Sequence, residues 1–167
     1  MTVAIVYVAI GSNRGEREDN IQRAIALLKE NEDIEVTAVS TLIETEPEEG
    51  AGPGKFLNGA LKIETSLLPI ELLSQFKMIE RRLGRVKAEG GAPAPRPMDL
   101  DILFYDDVVI TDGKTLGIPH PRLQDRWFVL KPLSEIAGDL THPRLKKTIR
   151  ELLEGLENAS PQNASSA

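Results

Sequence analysis

From Val3 to Ile10 every residue is apolar, and most are β-branched. A run like this has no polar side to turn to water, so it reads as a central strand covered on both faces. It lacks the basic start and small-residue cleavage site of an export signal, and it is too short to cross a bilayer. A cytoplasmic protein is the expectation.

The elements that could cover this strand follow in order. Gly11-Ser12-Asn13 ends it. Residues 17–30 place Ile21, Ala24, Ile25 and Leu28 at helical spacing with charges between them. Residues 34–43 set Ile34, Val36 and Ala38 against Glu35 and Thr37, the alternation of a half-buried strand. Thr45 to Lys55 is a loop rich in proline and glycine, and residues 57–65 alternate again with Leu57, Gly59, Leu61 and Ile63 on one face. Pro69 opens a helix whose apolar stripe is Leu72, Phe76, Ile79 and Leu83, and Gly84 stops it. Residues 88–97 hold too much glycine and proline for regular structure. Strands are expected at 99–104 and, after an Asp106-Asp107 turn, at 107–110. Short helices are expected at 129–137 and 145–154.

The order β-α-β-β-α-β predicts an α+β fold, a ferredoxin-like sandwich with an appended strand and C-terminal helices. The 167 residues suit one domain, placed at 1–157, with a disordered polar tail at 158–167.

The chain has no cysteine, which excludes disulfides and thiolate metal sites. Its net charge of −6 argues against general nucleic-acid or membrane-surface binding. Basic residues nevertheless cluster: Arg81, Arg82, Arg85, Lys87 and Arg96 form one group, and Arg122, Arg126 and Lys131 another. Such clusters suit a small polyanion such as a nucleotide, although Arg81 and Arg82 alone also read as a solvated helix face.

Asp99-Leu100-Asp101 is the sharpest local feature. On a strand, residues two apart share a face, about 6.5–7 Å apart. Leu100, Ile102 and Phe104 would then face the core, with both carboxylates opposite. Adjacent carboxylates repel unless a cation lies between them. Magnesium takes oxygen ligands and keeps several waters, so two carboxylates and phosphate oxygens suffice. The pair reads as a Mg–nucleotide site or as two solvated carboxylates at a strand start. The loop before it carries Arg96, a guanidinium suited to phosphate. His120, between Pro119 and Pro121, is a phosphate donor or a surface residue. Phe56 and Phe128 enclose a flat ring, or Phe128 and Trp127 simply pack at a helix start. Asn58 reads a base-like edge through its amide, or is an exposed polar residue of its strand. No Walker loop is present, and two histidines make a histidine-rich zinc site an unattractive reading.

Taken together, the segments Ala9-Ile10-Gly11-Ser12-Asn13, Phe56-Leu57-Asn58-Gly59-Ala60, Ile79-Glu80 through Val86, Pro95-Arg96-Pro97-Met98-Asp99-Leu100-Asp101-Ile102-Leu103, Ile118-Pro119-His120-Pro121 and Arg126-Trp127-Phe128-Val129-Leu130 resemble the 6-hydroxymethyl-7,8-dihydropterin pyrophosphokinase family. They occur in that family's order and span about residues 3–137. The resemblance implies an ATP-dependent diphosphotransferase of folate biosynthesis with two Mg2+ ions held by Asp99 and Asp101. Arg85, Arg96, Asp99 and Asp101 would form the catalytic set. ATP would meet Leu73, Lys77, Glu80, Arg85, Lys87, Arg96, Ile102, His120 and Arg126. The pterin would stack between Phe56 and Phe128 and meet Asn58, Thr45, Asp99 and the backbone near Glu48. ATP and the hydroxymethylpterin are the implied partners of a monomer, with no nucleic acid and no membrane.

The resemblance has departures. The loop before Arg96 lacks a tryptophan that many relatives carry, Phe56 stands for a frequent tyrosine, and Gly117 replaces a hydroxyl-bearing residue. Two other readings remain on sequence grounds: a different Mg-dependent nucleotidyl- or glycosyltransferase, and a non-catalytic ferredoxin-like module that binds a small ligand.

Overall fold

Strand β1, Ala4–Ser12, is the central strand that the apolar run requires. Val6, Val8 and Ile10 enter one core, while Tyr7 and Ala9 pack against a second one on the opposite face. Ile5 breaks the cover and is 39% exposed. The computed structural model describes residues 2–46, 55–84, 98–111 and 115–159. Within them β1 is followed by helix α1 (Arg17–Glu30), strands β2 (Ile34–Val39), β3 (Ile43–Thr45) and β4 (Phe56–Thr65), helix α2 (Pro69–Arg82) and strand β5 (Asp99–Tyr105). A single 3-10 turn, Leu123–Asp125, leads into helices α3 (Trp127–Ala137) and α4 (Ile149–Ala159). Among the described residues no helix is long and apolar enough to cross a membrane.

The sheet runs β2-β4-β1-β5, antiparallel at every step, with β3 paired to the first residues of β4. This is the sandwich order expected from β-α-β-β-α-β. Helices α1 and α2 cover one face, through Ile21, Ala24, Ile25 and Leu28 of the first and Leu72, Phe76 and Ile79 of the second. Helices α3 and α4 cover the other. Gly84 adopts φ 97° just past α2, the left-handed stop that a glycine there predicts.

Extra residues in the strands correct several expectations. The stretch 34–43 is not one strand. From Val39 to Ile43 the chain takes four steps while β4 takes three, from Leu61 to Asn58. The break falls at Ser40, whose Oγ accepts the Ala60 N–H at 2.8 Å, and at Thr41, whose hydroxyl donates to Glu135 of α3 at 2.6 Å. In β5, Leu103 is a bulge: Tyr7 pairs with Phe104, but Val8 pairs with Ile102. Leu100 and Ile102 face α1 and α2 as expected, whereas Phe104 turns to the opposite core. The strand expected at 107–110 shrinks to one bridge between Ile110 and Ile118, and Val109 is exposed. Asp106 makes the preceding turn at φ 48°, a conformation that aspartate tolerates.

The last helix starts later than expected, at Ile149 rather than 145. The His142 Nδ1 accepts the backbone N–H groups of Arg144 and Leu145, which holds that stretch in a turn. Thr148 and Glu151 then cap α4 reciprocally, Oγ1 accepting from the Glu151 N–H and Oε1 from the Thr148 N–H. The helix runs through Ala159, two residues into the expected tail, and Glu157 accepts a bond from the Trp127 indole. Residues 160–167 lie outside the described residues.

His142 is buried, with its ring edge-on to Phe104. Burial, reinforced by the Arg144 charge, holds its pKa below the ordinary value of 6.5. The unfolded chain therefore takes up this proton more readily than the fold does. The neutral imidazole contributes stability above about pH 6.5, and that contribution is lost as pH falls through the depressed value. His142→Asn keeps an acceptor but cannot titrate. Melting temperatures measured from pH 7.5 to 5 are expected to fall less steeply in the variant than in the wild type.

Candidate active site

Met98, Leu100 and Ile102 alternate into the core beneath α1 and α2 and are essentially buried. Period-two alternation therefore turns Asp99 and Asp101 to the opposite face. There Asp101 lies beside Ala9, and Asp99 beside Gly11. Asp101 is exposed and Asp99 half-buried. Among the described residues no group of three or more histidine, cysteine, aspartate or glutamate side chains gathers. Two carboxylates on one face suit a hard cation that takes its remaining oxygens from water and phosphate.

The outer edge of β5 is flanked at two points. The Leu100 N–H donates to Glu80 Oε2 at 2.9 Å, and Glu80, on α2, is only 2% exposed. Lys77, one turn earlier, lies 3.6 Å from the other Glu80 oxygen, and Leu73 packs against the core on the same helix. Farther along, the His120 N–H donates to the Leu103 carbonyl at 3.0 Å. Glu80 and His120 thus contact β5 three residues apart, on either side of Asp101. The His120 Nδ1 accepts the Arg122 N–H, so Nε2 carries the proton and is a donor. Arg126 places its guanidinium carbon 5.7 Å from the centre of the Phe128 ring. Trp127 points the other way into the α3–α4 core, while Phe128 is half-buried.

Across the sheet, Gly11 pairs with Asn58 on one side and Asp99 on the other, so these three residues form a row. Of the two readings of Asn58, the exposed strand residue does not match its surroundings: it is 9% exposed, and its Nδ2 donates to Thr45 Oγ1 at 2.8 Å. The bulge between β2 and β3 is what brings Thr45 opposite Phe56, within reach of that amide. Phe56 opens β4 half-buried, and α3, which carries Phe128, packs against β4.

The structure therefore gathers Thr45, Phe56, Asn58 and Asp99 at one end of the sheet, and Lys77, Glu80, Asp101 and His120 along β5. The Ile102 side chain lies in the core, so a nucleotide would meet its backbone. Gly117 has room for a small side chain, since an added Cβ meets Pro121 Cδ at an ordinary 3.5 Å. Glu48, Arg85, Lys87 and Arg96 lie outside the described residues.

Sequence reading missed Arg17. Its guanidinium donates to Glu44 Oε2 at 2.6 Å and to the Lys55 carbonyl at 2.9 Å, tying the residues next to Thr45 and Phe56 together. The same contact, aided by Lys55, holds the Glu44 carboxyl below the usual range. Nothing in an amphipathic helix marks which exposed arginine will reach across in this way.

Glu80 gives a test of the β5 edge. Glu80→Ala leaves the Leu100 N–H buried and unsatisfied and is expected to cost about 1–3 kcal/mol. Glu80→Gln retains an acceptor and should lose less. Urea denaturation of both variants measures the difference.

A family model described as 7,8-dihydro-6-hydroxymethylpterin-pyrophosphokinase (HPPK) matches residues 7–138. The chain is 44% identical over 132 residues to the 2-amino-4-hydroxy-6-hydroxymethyldihydropteridine pyrophosphokinase of Bacillus subtilis, covering 79% of this chain and 77% of that protein. It is 42% identical over 149 residues to the Aquifex aeolicus protein of the same name, covering 89% and 90%. Folic acid synthesis protein fol1 of Schizosaccharomyces pombe is 43% identical over 152 residues, which are 91% of this chain but 20% of that one. A crystal structure of an HPPK-DHPS in complex with substrates superposes with a TM-score of 0.79 over 99% of this chain and 45% of that one. At 14% identity that likeness shows the fold alone. The chain thus spans most of the bacterial relatives but less than half of the longer proteins it matches.

Proposed function

The chain belongs to the 7,8-dihydro-6-hydroxymethylpterin-pyrophosphokinase family, and from that membership we propose that it transfers pyrophosphate from ATP to the hydroxymethyl group of 6-hydroxymethyl-7,8-dihydropterin. The products are AMP and the pterin diphosphate, in folate synthesis. The observation that carries this reading is the row Asp99, Gly11, Asn58 across one face of the sheet. It sets an amide able to read a ring edge two strands from a carboxylate able to hold a cation.

Asn58 uses one N–H on Thr45, which leaves its carbonyl and second N–H for the pterin edge. Phe56 and Phe128 hold the ring between them. The hydroxymethyl oxygen then comes near Asp99 and attacks the β-phosphorus of ATP. A bond forms from that oxygen to the β-phosphorus, the bond from the β-phosphorus to the α–β bridging oxygen breaks, AMP departs with that oxygen, and the hydroxyl proton is released. Asp99 and Asp101 would hold the two Mg2+ ions, which would supply positive charge to offset that of the phosphates. His120, through Nε2, and Arg126 donate to the phosphates. Arg85, Lys87 and Arg96 would add to the phosphate contacts, and the backbone near Glu48 would meet the pterin. Leu73, Lys77, Glu80 and the Ile102 backbone border the nucleoside.

The proposed enzyme acts as a monomer. Similarity to the bacterial pyrophosphokinases supports a cytoplasmic location. Incubation with ATP, Mg2+ and the hydroxymethylpterin is expected to yield AMP and the pterin diphosphate in equal amounts. Formation of ADP, or AMP without the pterin product, overturns the reading.

A further inference from the structure

We infer that Gly11 is a specificity-determining residue, whose missing side chain leaves the bed on which the flat ring lies. The inference rests on the pterin reading above and adds the reason this position holds no side chain.

Gly11 is buried within β1, and its backbone does not require glycine: among the described residues, the glycines with positive φ are Gly15 and Gly84. Space requires it instead. A Cβ at Gly11 would lie 2.9 Å from Asn58 Oδ1, closer than real Cβ atoms approach, and 3.7 Å from Phe56 Cδ1. The Asn58 amide cannot easily withdraw, because it is buried and bonded to Thr45 at 2.8 Å. The missing Cβ therefore points into the face that carries the amide and the ring of Phe56.

Gly11 is also the midpoint of the row from Asn58 to Asp99. Two strand spacings separate the ends, about 9.5 Å. A two-ring heterocycle read at one edge by Asn58 and carrying a one-carbon alcohol arm toward Asp99 must pass over Gly11. A side chain there would lift the ring or displace the amide. Either change weakens recognition of the heterocycle without touching the ATP side along the outer edge of β5.

The test is a double-mutant cycle of Gly11→Ala and Asn58→Ala, with Gly155→Ala as a control, since a Cβ at Gly155 meets nothing within 4 Å. Gly11→Ala is expected to raise the KM for the hydroxymethylpterin about ten- to a hundredfold, the scale of overpacking a tight site, with the KM for ATP changed less than about twofold. In the Asn58→Ala background, where Oδ1 is gone, adding Gly11→Ala should still raise the pterin KM, by less than in the wild type, because the Cβ no longer strikes the amide but still underlies the ring. Gly155→Ala should change neither KM. Equal rises in the pterin and ATP KM values, or an unchanged pterin KM in Gly11→Ala, overturn the inference. If Gly11→Ala fails to fold, recovery of folding in the double variant supports the clash with Asn58, and failure of both overturns it. A wild type that makes no AMP with the pterin overturns the proposed activity itself. Normal wild-type turnover with unaltered Gly11→Ala kinetics overturns this inference alone.

Discussion

Asp101→Asn is expected to lower kcat by at least about a hundredfold, toward a thousandfold, while leaving the fold intact. Losing one preorganised electrostatic partner of a developing charge costs that much in comparable sites, and each tenfold corresponds to about 1.4 kcal/mol of barrier. Asp101 is exposed, so its substitution should change the melting temperature of the metal-free protein little. The substitution should also abolish most of the extra stabilisation that Mg2+ with ATP confers on the wild type. Steady-state AMP formation and thermal melting with and without Mg2+ and ATP measure both effects. A variant that loses stability but keeps its turnover would mark the pair as structural.

Much of this architecture was legible because it follows from periodicity. Ile21, Ala24, Ile25 and Leu28 declare α1, and Pro69 with Gly84 brackets α2. The same logic, at period two, puts Asp99 and Asp101 on one face. Bulges were not legible, because an extra residue leaves no mark in composition. Leu103 sends Phe104 to the opposite core from the one alternation predicts, and the step at Ser40 carries Thr45 to Asn58. The start of α4 is written in the sequence as Thr148-x-x-Glu151, a capping box that places it three residues or more after the expected 145. Gly11 gave no signal of its own. A glycine in extended backbone becomes informative only when the atoms that would meet its side chain are known.

Phe76→Ala carries the largest expected loss of stability. The ring is fully buried in α2, in the core shared by α1, α2 and the sheet. Truncating a buried phenylalanine removes its transfer energy and leaves a cavity, about 3–5 kcal/mol together. A domain of this size has roughly 5–15 kcal/mol in total, so the variant sits close to the limit of folding. At about 2–4 °C per kcal/mol, the melting temperature should fall by roughly 6–20 °C. Phe76 also lies one turn before Glu80, whose carboxylate holds the Leu100 N–H between the two aspartates. Relaxation of α2 into the cavity would shift that contact, so activity well below the melting point should fall too, but far less than in Asp101→Asn. Calorimetry and initial rates at 15 °C separate the two. A Phe76→Ala protein that melts like the wild type would mean that α2 is not held to the sheet by this ring, and the support inferred for the carboxylate strand would have to come from elsewhere.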